Sequence, residues 1–304
     1  MSSGAASPHY FLGVDGGGTG CRARIEDEAG IVLGQGLSGP ATTRLGIEAA
    51  WASVAKAFGA AIEEAGFAAA EIAGIRAGVG LAGIGRKGAL EAFRGIGHPF
   101  ASIDFVSDGV AACLGAHSGQ DGAIVIAGTG SIGLGFVEGR DLRVGGYGFP
   151  ISDEGSGADL GLKAMQLALR AHDGRHERTA LLAEVMQRFK DDPFEAVAWM
   201  DRASATDYAA MAPMVIRHAD QGDPAGRRIV QGAADQIDTF VRVLFEKGAP
   251  RVTLLGGLSS PLEPWLAPDV RRRLKPADGD AVSGAIILAR KSLCRQRRHA
   301  RRGI

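Results

Sequence analysis

Cysteine is scarce in this chain. Cys21, Cys113 and Cys294 make an odd total with no CxxC pair, which excludes a disulfide framework and a tetrahedral zinc site and points to a reducing, cytoplasmic compartment. Net charge is lacking as well: Lys+Arg and Asp+Glu stand at 34 each in 304 residues, so there is no global field to draw nucleic acid or an anionic membrane. No apolar stretch reaches the roughly 18 residues of a spanning helix. The opening MSSGAASPHY has neither the basic nor the apolar region of a signal peptide. The seven histidines show no metal-ligand spacing, and a P-loop, GxxxxGK[ST], is missing. The one local charge excess, from Arg290 to Arg302, reads as a solvated helix end.

Glycine is abundant, with 46 copies clustered after short apolar runs, where tight turns and close backbone approach need it. The runs Tyr10–Val14, Cys21–Glu26 and Ile31–Gly36 read as strands, followed by a helix over Gly46–Glu64 with Ala50, Val54, Ala57, Phe58 and Ala61 on one face. Ile75–Leu81 and Ile103–Val106 are further strands, with a short helix near Lys87–Phe93 between them, and Ser107-Asp108 opens a small helix to Leu114. At Gly122 the pattern restarts, with strands over Ala123–Ala127, Ile132–Val137 and Leu142–Gly145. A shift of 110 positions lays Gly18-Thr19-Gly20 on Gly128-Thr129-Gly130 and the turn at Glu28 on the turn at Glu138, which suggests two related domains. Helices are expected over Glu154–His172, Glu177–Phe189, Thr206–Ala219 and Pro224–Glu246, then a strand at Arg251–Leu255 and a last helix over Ala281–Leu293. Alternating strands and helices predict an α/β fold, and the opening hairpins make its sheets mixed.

The dinucleotide fingerprint GxGxxG occurs at Gly78–Gly83, Gly83–Gly88 and Gly128–Gly133. A genuine fingerprint opens a helix, whereas Leu134-Gly135-Phe136-Val137 continues Gly128–Gly133 as a strand. Two turns are better candidates for phosphate: Gly16-Gly17-Gly18-Thr19 and Gly128-Thr129-Gly130-Ser131 lie between strands, where successive backbone N–H groups form anion-binding nests. Each also reads as an ordinary tight hairpin. Asp15 ends the first strand and has no counterpart in the second copy; a carboxylate there suits Mg²⁺, held mostly through water. Asp108 reads either as a helix N-cap, a role Ser107 fills equally, or as a general base that takes a proton from an attacking hydroxyl. The loop from Gly145 to Gly157 carries Gly146, Tyr147, Asp153 and Glu154, and its acids either cap the next helix or accept from hydroxyls. Thr42 and Thr43, in the loop Pro40–Arg44, have the same two readings. Gly256-Gly257 is a plain βα turn or a ledge for an adenosine.

Taken together, GVDGGGTGCRARIED, FVSDGVAACLGA, IVIAGTGSIGLGF, GGYGFPISDEGSGADLG, VTLLGGLSS and DAVSGAIILA resemble, in order, the N-acetylglucosamine kinase branch of the BadF/BadG/BcrA/BcrD ATPase family. That family lies within the actin/hexokinase superfamily. The likeness runs from about Phe11 to Ala289, and PATTRLG resembles the bacterial glucosamine kinases of this branch. The resemblance implies two ribonuclease H-like, actin/hexokinase-type domains with mixed sheets flanked by helices and a cleft between them. The first covers residues 1–118 with a returning helix 281–295, and the second covers 119–280. It implies ATP and Mg²⁺, with Asp15 organising the metal and Asp108 as base. Gly16, Gly17, Gly18, Thr19, Arg22, Gly128, Thr129, Gly130 and Ser131 would meet phosphate, and Gly256 and Gly257 adenosine. The sugar, N-acetyl-D-glucosamine at its 6-hydroxyl or else glucosamine, would meet Thr42, Thr43, Asp108, Gly146, Tyr147, Asp153 and Glu154. A homodimer without nucleic-acid or membrane partners is expected. Two positions depart from the family: Arg22 often stands as Lys, and Tyr147 often as Trp. The wider family's activator ATPases hold an iron–sulfur cluster through paired cysteines that this chain does not supply. A sugar-sensing repressor would need a helix-turn-helix ahead of the first strand near His9.

Overall fold

The computed structural model describes residues 9–302, with side chains described over 9–293; the opening MSSGAASP, the Cys294 side chain and the arginines of the tail beyond Leu293 lie outside that description. The chain divides into two compact units, residues 1–120 with 277–304 and residues 121–276. Among the described residues, no helix is long and apolar enough to cross a membrane.

The first unit is built on strands β1 (Tyr10–Gly16), β2 (Cys21–Glu26), β3 (Val32–Ser38), β4 (Ile75–Leu81) and β5 (Ser102–Ser107), in the order β3-β2-β1-β4-β5. β1, β2 and β3 are antiparallel hairpins, while β4 and β5 run parallel to β1. Its helices are α1 (Ile47–Ala65), α2 (Ala69–Gly74), α3 (Ala89–Arg94), α4 (Asp108–Ala116) and, from the far end of the chain, α13 (Ala281–Arg302). The two faces of this sheet are covered at very close range. A Cβ at Gly34 or Gly36 would sit 2.1 or 2.0 Å from the Ala61 or Ala57 carbonyl oxygen of α1. On the other face a Cβ at Gly13 or Gly78 would sit 2.5 or 2.0 Å from the Val282 or Ala285 carbonyl oxygen of α13. Glycine thus lets helix backbone lie directly on strand backbone. Leu12, Val14, Ile25, Val54, Ile75 and Phe93 fill the α1 side, and Phe11, Val282, Ile286 and Ala289 pack on the α13 side.

The second unit repeats the pattern. Strands β6 (Gly122–Ala127), β7 (Ser131–Val137), β8 (Arg140–Val144) and β9 (Val252–Leu255) are ordered β8-β7-β6-β9, with β6–β8 antiparallel and β9 parallel to β6. β2 begins at Cys21 and β7 at Ser131, a difference of 110, so the repeat seen in the sequence is a repeat of strands. The helices are α5 (Gly157–His172), α6 (Ala180–Gln187), α7 (Pro193–Met200), α8 (Ala205–Ala209), α9 (Ala212–Asp220), α10 (Pro224–Glu246), α11 (Ser259–Leu262) and α12 (Pro268–Arg273). α10 buries Ile229, Val230, Ala233, Ile237, Phe240, Val241 and Leu244 along one stripe, the 3.6-residue period of an amphipathic helix.

Several elements differ from the sequence expectation, the short helices α2, α11 and α12 among them, and three differences have a local cause. The helix expected over Glu154–His172 starts at Gly157, because Ser156 accepts the Asp159 N–H at 3.2 Å and caps it there. The helix expected over Thr206–Ala219 is two, α8 and α9, with Pro213 in the first turn of the second, where its missing N–H costs nothing. α7 was not anticipated, although Asp192 accepting from Phe194 N at 2.8 Å, with Pro193 at the first helical position, is a standard start signal. Cys21 and Cys113 are buried, which pushes their thiols up to about 11 and about 12.

Candidate functional site

In the first unit the candidate residues gather at the C-terminal edge of β1, β4 and β5. Asp15 pairs in register with Gly80 of β4, which in turn pairs with Val106 of β5. Asp108 follows at the first turn of α4, where Ser107 is the N-cap and accepts the Val110 N–H at 3.2 Å. The capping role is therefore taken by Ser107. The Asp108 Oδ1 accepts only a local bond, from Gly109 N–H at 2.9 Å. Gly80, the middle glycine of the GxGxxG match at Gly78–Gly83, permits this placement: a Cβ there would sit 2.5 Å from the Ala111 Cβ, and α4 could not lie so close to β4. Burial pushes the Asp108 carboxyl above the ordinary carboxylate range; the negative charge of Asp15 adds to this, and the Gly109 bond opposes it.

The turn after β1 closes with Gly17 N–H donating to the Gly20 carbonyl at 2.9 Å, leaving Gly18 and Thr19 exposed at its tip. The neighbouring loop is stitched to it: Ala41 N–H donates to Gly17 O at 2.9 Å and Ala82 N–H to Gly16 O at 2.8 Å. Thr42 and Thr43 are buried within that stitching. Thr42 Oγ1 accepts the Arg44 N–H at 3.4 Å, and Thr43 Oγ1 donates to the Gly83 carbonyl at 3.0 Å. Arg22, opposite Asp15 in the β1–β2 register, donates from Nη2 to Asp15 Oδ2 at 2.8 Å, and its Nη1 lies 3.4 Å from Asp280 Oδ2. Asp280 lies 258 residues further along the chain, at the head of the DAVSGAIILA segment, and nothing local pairs it with Arg22.

In the second unit the turn Gly128–Ser131 closes with Gly128 N–H on the Gly130 carbonyl at 2.9 Å and exposes Thr129. The start of α5 is tied to it, Gly157 N–H donating to Gly128 O at 2.8 Å and Ala158 N–H to Thr129 O at 3.2 Å. Asp153 sits against this turn, so that a Cβ at Gly130 would meet its Oδ2 at 2.8 Å. Burial pushes the Asp153 carboxyl up, opposed by hydrogen bonds from the Ser131, Phe149 and Gly148 N–H groups. Its backbone is left-handed, with φ of 67°, uncommon for a non-glycine residue, and those three donors hold it there. Glu154 is exposed and accepts from Ser152 Oγ at 3.1 Å. Tyr147 is 71% exposed, with the Arg143 guanidinium 4.9 Å over its ring, while Arg143 also donates to the Gly145 and Gly146 carbonyls.

Gly256-Gly257 follows β9 beside the same turn, with Leu258 N–H on the Ala127 carbonyl at 3.0 Å. Gly256 has φ of 98°, and a Cβ there would sit 2.2 Å from Ala127 O, so only glycine fits. Gly257 and Leu258 line a cavity of about 510 Å³ whose opposite wall is α9, through Pro213, Ile216, Arg217 and Asp220. In the sequence α9 carries no sign of a ligand contact, because an amphipathic helix face reads as core. The structure thus groups the candidates in two sets, one at the strand ends of each unit.

Two mixed sheets of five and four strands, each flanked by helices and each opening on a hairpin that carries a Gly/Thr turn, define an actin/hexokinase-type chain. The chain belongs to the BadF/BadG/BcrA/BcrD ATPase family, whose model matches residues 12–287. It is 41% identical to glucosamine kinase GspK of Vibrio cholerae over 283 residues, 93% of this chain and 96% of that protein. It is 29% identical to an N-acetylmuramic acid/N-acetylglucosamine kinase of Clostridium acetobutylicum, over 92% of this chain and 98% of the relative. A crystal structure from Chromobacterium violaceum, of a protein provisionally named N-acetylglucosamine kinase, is 36% identical with a TM-score of 0.85, covering 93% of this chain and all of that one.

Proposed function

We propose that the protein is an ATP-dependent kinase of an amino sugar, glucosamine before N-acetylglucosamine, acting at the 6-hydroxyl. The observation that carries this is the 41% identity, end to end, with a glucosamine kinase. It reverses the order expected from the sequence, which put N-acetylglucosamine first. N-acetylglucosamine stays as the second reading on the 36% likeness to the provisionally named kinase structure.

In this reading Asp108 takes the proton of the sugar hydroxyl as that oxygen bonds to the γ-phosphorus and the bond to the β,γ-bridging oxygen breaks, releasing ADP. A carboxyl pushed up by burial is a stronger base than a solvated one, so the site's desolvation serves the proton transfer. The exposed N–H groups of the turns at Gly16–Thr19 and Gly128–Ser131 bind phosphate oxygens. The Gly256-Gly257 ledge and the α9 cavity, about 510 Å³, take the nucleoside. Asp15 holds Mg²⁺. A single carboxylate at the end of β1 suits an ion that would keep most of its ligands as water. When bound, that ion neutralises charge on the transferred phosphate. Glu154, exposed near the Tyr147 loop, supplies the carboxylate partner that the 2-ammonium of glucosamine requires.

The test is kcat/KM over a panel of glucosamine, N-acetylglucosamine, N-acetylmannosamine and glucose, read by coupled ADP release. Glucosamine is expected to be preferred, and Glu154→Gln should lower its kcat/KM by about tenfold or more, with little effect on N-acetylglucosamine, since charge-assisted bonds are worth about 1.5–3 kcal/mol. Glucose as the best substrate would refute the amino-sugar reading.

A further inference from the structure

Both terminal nitrogens of Arg22 face carboxylates. Asp15 lies opposite it in the sheet at 2.8 Å, and Asp280 lies at 3.4 Å from the far end of the chain. The two acids are held differently. Asp280 stands just before α13, and its Oδ1 accepts both the N–H and the Oγ–H of Ser283, at 2.9 and 2.8 Å. That leaves Oδ2 turned to Arg22. Arg24 reinforces the arrangement, donating from Nη2 to Ser283 Oγ at 2.9 Å and placing Nη1 4.0 Å from Asp280 Oδ1. Burial alone would raise the Asp280 carboxyl, but the Ser283 bonds and the two guanidinium groups hold it below the ordinary range, so it remains an anion at neutral pH. The Arg22 side chain is 51% exposed. On the Asp280 side it borders a cavity of about 490 Å³, lined also by Arg24, Leu37 and Glu64, so the guanidinium has room to move there.

A carboxylate already neutralised by a guanidinium is a poor ligand for a divalent cation. We infer that Asp280 is a positioning residue: it offers the Arg22 guanidinium a second fixed seat, so that Arg22 leaves Asp15 when a metal ion arrives. This rests on the reading of Asp15 as the metal-holding residue. The device spans a sheet hairpin and the returning helix, and it needs no motion of α13.

The test is Mn²⁺ binding to the full chain with a non-hydrolysable ATP analogue, read by electron paramagnetic resonance as a Kd. Asn keeps the acceptor that caps α13 but removes the charge, so Asp280→Asn should still fold, with a modest loss of stability from the two guanidinium partners it leaves behind; Asp280→Ser, which also caps, is the second variant. Both are expected to weaken Mn²⁺ binding about three- to fivefold, the scale of a partly exposed ion pair. In an Arg22→Met background, where nothing competes for Asp15, the same changes should have no further effect. Equal weakening in both backgrounds would mean a through-space field effect and would overturn the inference, as would no weakening when Arg22 is present. Asp15→Asn serves as the reference and should weaken Mn²⁺ binding more than either; an unchanged Kd there would refute the Asp15 reading itself, and this inference with it.

Discussion

Asp108→Asn should lower kcat by roughly 10²- to 10⁴-fold, the usual worth of a general base, while leaving the protein at least as stable as the parent. Both halves follow from one environment. The carboxyl lies half-buried at the start of α4, where desolvation and the charge of Asp15 both push it up. A carboxylate whose folded-state value is raised contributes stability below its unfolded value and loses that contribution as pH rises through the folded one. At neutral pH the ionised Asp108 is therefore a cost to folding that Asn removes. Asn leaves the helix cap untouched, because Ser107 provides it. The parent's kcat/KM should fall on the acid side at a pH above the ~3.9 of an ordinary aspartate. Steady-state kinetics with a thermal melt decide the matter. A variant keeping more than about a tenth of parental kcat would remove Asp108 from the chemistry, since a base is worth at least ~10²-fold.

The second large effect is on folding, and the contrast lies between two identical substitutions. Gly78→Ala should lower the unfolding midpoint of the first unit by roughly 6–12 °C, because overpacking against a rigid neighbour costs up to about 3 kcal/mol or more. Its new Cβ would stand 2.0 Å from the Ala285 carbonyl oxygen and 3.2 Å from Ala289 N, both backbone atoms of α13 that cannot rotate aside. Gly59→Ala, in the middle of α1 with nothing within 4 Å of its Cβ, should instead raise the midpoint, because alanine is favoured over glycine in a helix by about 1 kcal/mol. Differential scanning calorimetry of the two variants checks both signs. A Gly78→Ala protein melting at or above the parent would mean that α13 does not lie on β4 as described.

Much of this architecture is written in local patterns. β2 occupies the span its alternation predicts, Cys21–Glu26, and α10 the span Pro224–Glu246, because a period of two and a period of 3.6 are unambiguous over such lengths. The antiparallel start of each sheet follows from Gly-rich turns between closely spaced strands. Other features are long-range and carry no local mark. The Arg22–Asp280 pair joins residues 258 positions apart. Gly80 reads as one more small residue in GVGLAG until α4 is seen against it. The α9 wall of the cavity beside Gly257 uses residues whose spacing signals only a buried helix face. Thr42 and Thr43 read equally as capping residues or as ligand contacts; the structure buries both, with Thr42 capping the short turn at Thr43–Leu45 and the Thr43 hydroxyl on the Gly83 carbonyl.

Phosphoryl transfer from ATP to an amino sugar leaves its signature in the product. Purified protein, Mg²⁺, ATP and glucosamine should yield ADP and a hexosamine 6-phosphate in equal amounts by ³¹P NMR, with negligible ADP when the sugar is left out. ADP formed at the same rate without sugar, accompanied by inorganic phosphate in place of a phosphate ester, would contradict it.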